Sequence, residues 1–495
     1  MASFHRFPNQ GPIPESRGRL RCTRRFASKT RFQDRYSVLV ALDNGFIAMR
    51  FCILFLIVLF ALVEAAVANP PNILIVTCDN LGYGDLRSYN PKSFIKTPRL
   101  DRLAKESARL TSFYTASSTC TVSRACLLTG RIPQRHKLVN QLPGLKGNYG
   151  VGLNPKELLI PQLLKQAPTP YVTGCFGKWN IGFAEGSRPT ERGFDEFIGH
   201  ASGNIDYYSH IYGGKHDLYQ GTTELHRQGE YATDLFADAA IEYMLRQSKS
   251  GDPWFCYLSF NAPHFPSAKN KKPGQKNEWQ APDWAFREYG LSPDESDPLK
   301  RYGAVVTALD RAIGRVLDAL EESGAADNTF LFFMSDNGGF RLGRKGLDIG
   351  INDPLRHGGV TCWEGGIRVA AMARWPGKIK AGSVVDEPFW SPDIMPACAK
   401  LSGAKLPSNI AFDGKDPLPL LTSGAKSDHE SFFFIFRNHA ALRKGDWKIV
   451  RERPNEPWQL FNLAEDVGEE NNLAKQQPDR VKELTEVFAA WEKTF

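Results

Sequence analysis

The sequence predicts an α/β fold, because two kinds of segment alternate along the chain. Continuous apolar runs at 73–77, 254–260 and 329–334 have the length and composition of buried strands. Amphipathic helix patterns lie between them, and the clearest spans 305–320 and ends at Gly324. Strands without polar alternation are buried on both faces, so we expect a sheet covered by helices on both sides.

The last part of the chain has a different pattern. Short strand patterns separated by turns lie at 431–436, 447–451 and 458–463, and 478–495 reads as one helix. These features predict a smaller α+β unit. The expected organisation is a leader at 1–68, a main domain at 69–425 and a C-terminal subdomain at 426–495.

The leader has the features of an export signal. An uninterrupted apolar run spans 51–63, follows Met49-Arg50 and precedes Ala66-Val67-Ala68. A basic start, a short apolar stretch and small residues three apart predict a secretory signal cleaved after Ala68, hence a periplasmic or secreted protein. The alternative is an uncleaved membrane anchor, although the run is short for a membrane span. The start site, Met1 or Met49, is open.

The charge of the chain is concentrated in this leader. The whole sequence carries a formal +8, but residues 1–68 hold ten Lys and Arg against four Asp and Glu, which leaves +2 for the rest. This near-neutral remainder argues against a nucleic-acid partner. The composition, 23% charged and 42% hydrophobic, also excludes a disordered chain. Nine scattered cysteines without a CxxC pair do not form a disulfide framework.

Polar residues follow three of the predicted strands directly. The first strand leads into Asp79-Asn80, the third into Asp336-Asn337, and the second into 261–264, which ends in His264. Active sites of open α/β sheets lie beyond the carboxyl ends of the strands. Any one of these segments alone reads as a turn or a helix cap, but three together favour a site. Two Asp-Asn pairs offer oxygen ligands to a hard cation such as Ca²⁺ or Mg²⁺.

Residues 118–131, Ser-Thr-Cys-Thr-Val-Ser-Arg-Ala-Cys-Leu-Leu-Thr-Gly-Arg, carry the most specific motif. Here the chain resembles the type I sulfatases of the alkaline phosphatase superfamily, whose signature is Cys-x-Pro-Ser-Arg followed by Leu-Thr-Gly-Arg. Other matching blocks in the family's order include Gly177-Lys-Trp-Asn-Ile-Gly182, 261–264, Ser335-Asp-Asn-Gly338 and Trp363-Glu-Gly-Gly-Ile-Arg368. The resemblance implies a large mixed, mostly parallel sheet flanked by helices, with 69–425 as the catalytic domain.

The resemblance also implies a chemistry. A formylglycine-generating enzyme would oxidise Cys120 to formylglycine, and one hydroxyl of its hydrated aldehyde would attack the sulfur of a carbohydrate or aryl sulfate ester. Arg124, one helical turn on, Lys178 and His264 would bind the sulfate, and His264 could protonate the leaving oxygen. The cation, Ca²⁺ or alternatively Mg²⁺, would be held by the following residues: Asp79, Asn80, Cys120, Asp336 and Asn337.

Four positions depart from the family pattern. Val122 replaces the Pro that the maturing enzyme reads, and Asn80 replaces a second Asp, which should weaken cation binding. Asn180 replaces a His, and Gly359 replaces a sulfate-binding Lys. His357, two residues earlier, is a candidate to compensate for that Lys, or else an ordinary surface histidine.

The departures leave other functions open. One alternative is a phosphoester or phosphonate hydrolase of the same superfamily. Another is a catalytically silent protein that binds sulfated glycans, with residue 120 still a thiol. In each case we expect substrate specificity in the loops at 203–228 and 269–298, whose sequences carry no recognisable signal.

Overall fold

A computed structural model of the protein describes residues 69–142, 151–266, 279–341, 343 and 348–495. It confirms the α/β prediction, with a large mixed sheet flanked by helices and a separate small antiparallel sheet near the C-terminus. The predicted leader lies outside the described residues. The boundary between 425 and 426 stays a prediction.

The strands of the described residues are, in chain order, β1 (Asn72–Cys78), β2 (Ala108–Leu110), β3 (Phe113–Tyr114), β4 (Val172–Lys178), β5 (Glu196–His200), β6 (Ile211–Tyr212), β7 (Lys215–His216), β8 (Tyr219–Gln220), β9 (Thr223–Glu224), β10 (Trp254–Ser259), β11 (Thr329–Ser335), β12 (Ala371–Arg374), β13 (Val384–Val385), β14 (Phe389–Trp390), β15 (Phe432–Phe436), β16 (His439–Lys444), β17 (Trp447–Arg451) and β18 (Gln459–Asn462). The helices are α1 (Pro98–Glu106), α2 (Cys120–Thr129), α3 (Pro133–His136), α4 (Ile160–Leu164), α5 (Ala232–Ser250), α6 (Asp283–Arg287), α7 (Pro298–Glu322), α8 (Glu364–Ile367), α9 (Ile394–Ser402), α10 (Leu418–Ser423) and α11 (Pro478–Glu492).

The large sheet has the strand order β13-β2-β12-β11-β1-β10-β4-β5-β8-β9. Its five central strands, from β11 to β5, pair in parallel, and antiparallel pairs flank them on both sides. The carboxyl ends of the five parallel strands therefore lie side by side along one edge. This arrangement brings the polar residues that follow β1, β10 and β11 close together.

Alternate residues of β1 enter two different cores, one on each face of the sheet. Leu74 and Val76 pack in the core that contains the apolar faces of α1, α5 and α7. Ile73 and Ile75 pack in the core that contains residues of α2, α4 and α9. Both sets are buried because successive side chains of a strand point to opposite faces, so the apolar run has no polar alternation.

The longest helix, α7, has recognisable signals at both ends. Asp297 caps its first turn by accepting a hydrogen bond of 2.9 Å from the Leu299 amide, and Pro298 occupies the first helical position. Gly324, two residues beyond the last helical residue, has a φ of 72°. The predicted end is therefore correct, whereas the helix begins seven residues before the apolar pattern.

The C-terminal sheet, β15-β16-β17-β18, is antiparallel throughout. Phe432 and Phe434 face a cluster shared with the main domain, whereas Phe433 and Ile435 face α11. The three predicted strands are present, together with a fourth strand that was not predicted, β16 (His439–Lys444). This strand mixes charged and small residues and takes its conformation from pairing with β15 and β17 on both sides.

A buried imidazole below α2 makes the stability of the fold depend on pH. The His136 Nε2 atom lies 3.4 Å from Cys126 Sγ, and burial lowers the pKa of His136 from 6.5 to about 3. As the pH falls, the His136 ring is protonated in the unfolded chain below pH 6.5, whereas the buried ring stays neutral to about pH 3. Protonation therefore favours the unfolded chain, and the stability of the fold that depends on the neutral ring is complete above pH 6.5 and is lost as the pH falls towards 3.

We therefore expect urea unfolding of the wild type to show a stability loss from this group of about 2 kcal/mol between pH 7 and pH 5. In a His136→Gln variant, whose side chain can still accept from the Leu138 amide, that loss should be smaller by the same amount. An identical pH dependence in the two proteins would contradict this assignment.

Within the described part of the chain, no helix is long and apolar enough to cross a membrane.

Candidate active site

Cys120 is the first residue of α2, and its thiol lies at the carboxyl edge of the sheet. Its Sγ atom is 3.2 Å from Asp79 Oδ1 and 3.7 Å from Asn80 Oδ1. Burial, reinforced by the charge of Asp79, raises the pKa of the Cys120 thiol well above its usual value. The unmodified side chain is therefore protonated at neutral pH and is a poor nucleophile, because the thiolate is the reactive form.

The two Asp-Asn pairs meet beside this thiol. The backbone amide of Asn80 donates to Asp336 Oδ1 at 3.1 Å, and Asn337 Nδ2 donates to Asn80 Oδ1 at 2.5 Å. The parallel register, which pairs Cys78 with Ser335, places the two segments side by side. Asn80 has a left-handed backbone with φ 62°, a conformation that Asn tolerates better than most residues.

Two buried ion pairs balance the carboxylates. The Lys178 ammonium, at the end of β4, lies 2.5 Å from Asp79 Oδ2, and the Arg124 Nη2 atom lies 2.7 Å from Asp336 Oδ2. All four side chains are at most 1% exposed. Burial, followed by repulsion from Asp79, raises the pKa of Asp336 to about 6. Each charge is therefore compensated locally, and both cations are within reach of an anion that approaches residue 120.

Hydrogen bonds beyond the ion pair with Asp336 fix the orientation of the Arg124 guanidinium. It donates to the Lys178 carbonyl at 3.3 Å and to the hydroxyl of Ser259, and that hydroxyl donates to the same carbonyl at 2.7 Å. Ser259 was not among the predicted site residues. It is the last residue of β10, so its place at a strand end was the signal that could have identified it.

His264 reaches the site from the loop after β10. Its Nδ1 atom lies 2.6 Å from the Phe265 carbonyl, which also accepts from Asn204 Nδ2 at 2.7 Å. An Nδ1–H that donates to this carbonyl leaves the lone pair on Nε2. Burial and the nearby charge of Lys178 lower the pKa of His264 to about 3, so the ring is neutral at neutral pH.

Three ligand atoms lie close enough to hold one metal ion. They belong to Asp79, Cys120 and His264 and lie within 4.8 Å of one another. Asp79 and Cys120 belong to the predicted cation set, whereas His264 was assigned to the sulfate. Of the other three predicted ligands, Asn80 contacts Cys120, and Asp336 and Asn337 each form a hydrogen bond with Asn80.

Several buried amides around the site have polar atoms without a hydrogen-bond partner among the described residues. Both side-chain polar atoms of Asn180 and of Asn261 are in this state, as are Asn337 Oδ1 and Asn80 Nδ2. An unpaired buried polar group is costly, so such a concentration indicates a place where a polar ligand binds. Asn180 and Asn261 therefore belong to the candidate site, and Asn261 is an addition to the predicted set.

The structure leaves no room for a side chain at Gly359. A Cβ atom there would lie 2.7 Å from the Gly338 carbonyl oxygen and 2.8 Å from Phe340 Cδ1. His357 does not take over the missing cation, because its ring stacks on Trp363 at 5.7 Å and its pKa is lowered by burial. The side chain is exposed, as the alternative of an ordinary surface histidine predicts.

A mostly parallel α/β sheet with a nucleophile candidate, two cations and a set of oxygen ligands at its carboxyl edge defines a hydrolase of anionic esters. Residues 71–404 match the sequence profile of the sulfatase family. The chain therefore belongs to the sulfatase family and is a sulfuric ester hydrolase.

Curated relatives cover most of the chain. Human N-acetylgalactosamine-6-sulfatase is 32% identical over 82% of this chain and 76% of its own length. Bovine arylsulfatase A is 33% identical over 82% of this chain and 84% of its own length.

Solved structures agree with this result. The crystal structure of Ps i-CgsB is similar with a TM-score of 0.76 at 30% identity, over 86% of this chain and 93% of that chain. A second structure of that protein, in complex with k-i-k-neocarrahexaose, gives 0.75 at 29% identity over the same shares. The phosphonate monoester hydrolase SpPMH from Silicibacter pomeroyi shares the fold at 20% identity, with a TM-score of 0.59 over 86% of this chain and 95% of that chain.

Proposed function

We propose that the protein hydrolyses sulfate esters of carbohydrates, with a formylglycine formed from Cys120 as the nucleophile and Ca²⁺ as the cation. The observation that carries this proposal is the position of Cys120 at the start of α2, with its Sγ atom 3.2 Å from Asp79 and the Lys178–Asp79 ion pair directly behind it. A carbohydrate substrate is supported by the similarity to N-acetylgalactosamine-6-sulfatase and to a protein solved with neocarrahexaose.

Conversion of Cys120 would resolve a conflict in the local chemistry. The thiol is protonated where it lies, and its sulfur is a soft ligand among hard oxygen ligands. A hydrated formylglycine would place oxygen there instead and present a hydroxyl to the sulfate ester. The formylglycine-generating enzyme is thus a proposed partner during maturation, and Val122 is the position in its motif that differs from the usual Pro.

The residues present fit a hard cation. Asp79, Asn80, Asp336 and Asn337 would hold it together with the side chain of residue 120, and the buried Asn337 Oδ1 has no partner among the described residues. When bound, such a cation stabilises an oxyanion nucleophile and the charge of the sulfate oxygens. Ca²⁺ accepts irregular oxygen sets more readily than Mg²⁺ does, which favours it here.

The remaining residues bind and orient the substrate. Lys178 and Arg124 lie on the two sides of the carboxylate pair, so a sulfate that approaches residue 120 meets two cations. We assign to His264 the protonation of the leaving oxygen. Its ring is neutral without substrate, and the negative charge of a bound sulfate would favour the protonated form that can donate to the leaving oxygen.

Sulfate release tests this function directly. We expect the purified protein to release inorganic sulfate from sulfated galactosamine or galactose oligosaccharides and from an aryl sulfate. We expect much slower release of phosphate from the matched phosphate monoester. Failure to release sulfate from every substrate, in protein whose residue 120 is fully converted, would contradict the proposal. Tight binding of the oligosaccharides without turnover would instead support a silent glycan-binding protein.

Asn80 gives a test of the cation site. An Asn80→Asp variant adds a second carboxylate next to Asp79, so we expect Ca²⁺ to bind about tenfold more tightly, as measured by calorimetric titration. The matched control is Asn328→Asp, which adds the same charge at the amino end of β11, the opposite end of the strand from the site. Equal affinities in Asn80→Asp and the wild type would place the cation elsewhere.

For localisation we propose export through the leader at 1–68, with cleavage after Ala68. N-terminal sequencing of protein from the medium or periplasm should begin at Asn69. A protein that stays in the membrane fraction with its apolar run intact would support the uncleaved anchor.

A further inference from the structure

The aromatic ring of Phe340 borders the active site beside His264, and none of the proposed catalytic roles involves it. Phe340 meets the His264 ring edge-on, with centroids 5.3 Å apart, and also contacts Phe265 at 6.0 Å. Its Cδ1 atom lies 2.8 Å from the place where a Cβ on Gly359 would be. The glycine therefore makes room for the ring, and the ring is only partly buried. Part of its surface is available to a substrate held at His264.

The next residue, Arg341, is an exposed cation on the same side. The aliphatic carbons of its side chain lie against Gly358, because a Cβ atom at that glycine would be 2.9 Å from Arg341 Cγ. Its Nη1 atom donates to the Asp348 carbonyl at 3.0 Å, and within the described residues the guanidinium forms no ion pair. A single bond to a neutral carbonyl leaves further N–H donors of the guanidinium for an anion.

A polar cavity of about 490 Å³ lies at this side chain, between 353–357 and 468–470. The second arginine of its wall, Arg356, donates to the Glu469 carbonyl at 2.6 Å and lies 3.9 Å from the Trp363 ring centroid, so it is already engaged. Arg341 is thus the cation of the described cavity wall that remains for a ligand, although the carboxylates of Asp353 and Glu470 belong to the same wall.

The cavity and the catalytic residues lie on two sides of one short loop. The position of a Cβ on Gly359 is 3.2 Å from Asn337 Nδ2, and the Val360 amide donates to the Ser118 carbonyl at 2.8 Å. The same loop contributes His357 to the cavity wall. A sugar whose sulfate lies at residue 120 would meet Phe340 beside His264, and the next sugar would extend towards the cavity.

We propose that Phe340 and Arg341 form a sugar-binding subsite next to the sulfate pocket, which selects oligosaccharides that carry a second anionic group. The Phe340 ring would pack against the C–H face of the sulfated sugar, and Arg341 would bind a sulfate or carboxylate on that sugar or its neighbour. Both groups present the paired oxygens that a guanidinium binds through two N–H donors. This subsite rests on the proposed function.

The test compares two sulfated disaccharides, one neutral apart from the cleaved sulfate and one with a second anionic group. For Arg341→Gln we expect the ratio of kcat/KM, anionic over neutral, to fall about tenfold, mainly through KM. Separate disaccharides with a second sulfate and with a uronate distinguish the two anions. The matched control is Lys378→Gln, which removes one exposed positive charge beyond the far end of β12 and should keep the ratio.

A second variant tests the ring. Phe340→Leu keeps an apolar side chain but loses the flat face, so we expect kcat/KM for the disaccharides to fall relative to that for a short alkyl sulfate. An unchanged ratio in both variants, with the wild type active, would overturn the subsite. Absence of sulfate release by the wild type from all these substrates would instead contradict the proposed function itself, so the two failures are distinguishable.

Discussion

Replacement of Cys120 by Ala should reduce hydrolysis of an aryl sulfate by at least about 10⁴-fold. The side chain at this position is the nucleophile in the proposed chemistry, and Ala offers no atom that can be oxidised or can attack sulfur. The fold should survive, because the Cys120 sulfur forms hydrogen bonds to just two partners among the described residues, Asp79 and Asn80. Turnover is measured by release of the phenol, and folding by the midpoint of thermal unfolding.

The matched control is Cys126→Ala on the same helix. Its sulfur is also buried, but it contacts His136, on the side of α2 away from the carboxylates. We expect this variant to keep its kcat and to lose only stability. Comparable turnover by Cys120→Ala and the wild type would place the chemistry outside this site.

Replacement of Lys448 by Met should destabilise the protein by about 3–5 kcal/mol. The Lys448 ammonium lies 2.8 Å from Glu364 Oε1 and 2.8 Å from Glu469 Oε1, and all three side chains are fully buried. Burial alone would raise the pKa of Glu364, but the positive charges of Lys448 and then Arg368 lower it to about 2. The variant leaves this carboxylate charged in an apolar interior without its closest cation. Urea unfolding at pH 7 measures the loss.

Lys444→Met is the control for this prediction. Lys444 also pairs with a glutamate, Glu483, at 3.0 Å, but these side chains are 40% and 50% exposed. An exposed pair contributes about 0–1 kcal/mol, so the variant should be close to the wild type. Because Glu364 starts α8 whereas Lys448 lies on β17, the buried cluster joins the main domain to the C-terminal sheet. Equal stability of the two variants would mean that the cluster does not hold them together.

The parts of the site that could be predicted are those in which local sequence determines the geometry. Strands β1, β10 and β11 are continuous apolar runs, and the parallel pairing of such strands brings the residues after them to one edge. Strand β4 was harder to predict, because Gly174 and Gly177 interrupt its apolar pattern, so Lys178 was identified by resemblance. The end of helix α7 was predicted from Gly324, whereas its start after Asp297 was not predicted.

Other features depend on contacts between distant segments and have no local signal. Asn204 lies in a loop after β5, and its role beside His264 depends on how that loop packs against the one after β10. The same holds for Phe340, whose ring reaches His264 because Gly359, from another loop, leaves the space open. His357 does not replace the missing Lys, because sequence proximity to Gly359 says nothing about the direction of the ring, which stacks on Trp363.

The central claim, that residue 120 is the modified nucleophile of a sulfatase, is tested most directly by mass spectrometry of the peptide that contains it. The protein should be made in its native host, so that the proper maturing enzyme meets the Val122 motif. We expect a peptide with the lower mass of an aldehyde in place of the thiol, and reaction of that aldehyde with a hydrazide. A peptide that carries only the unmodified thiol, in protein that releases sulfate, would contradict it.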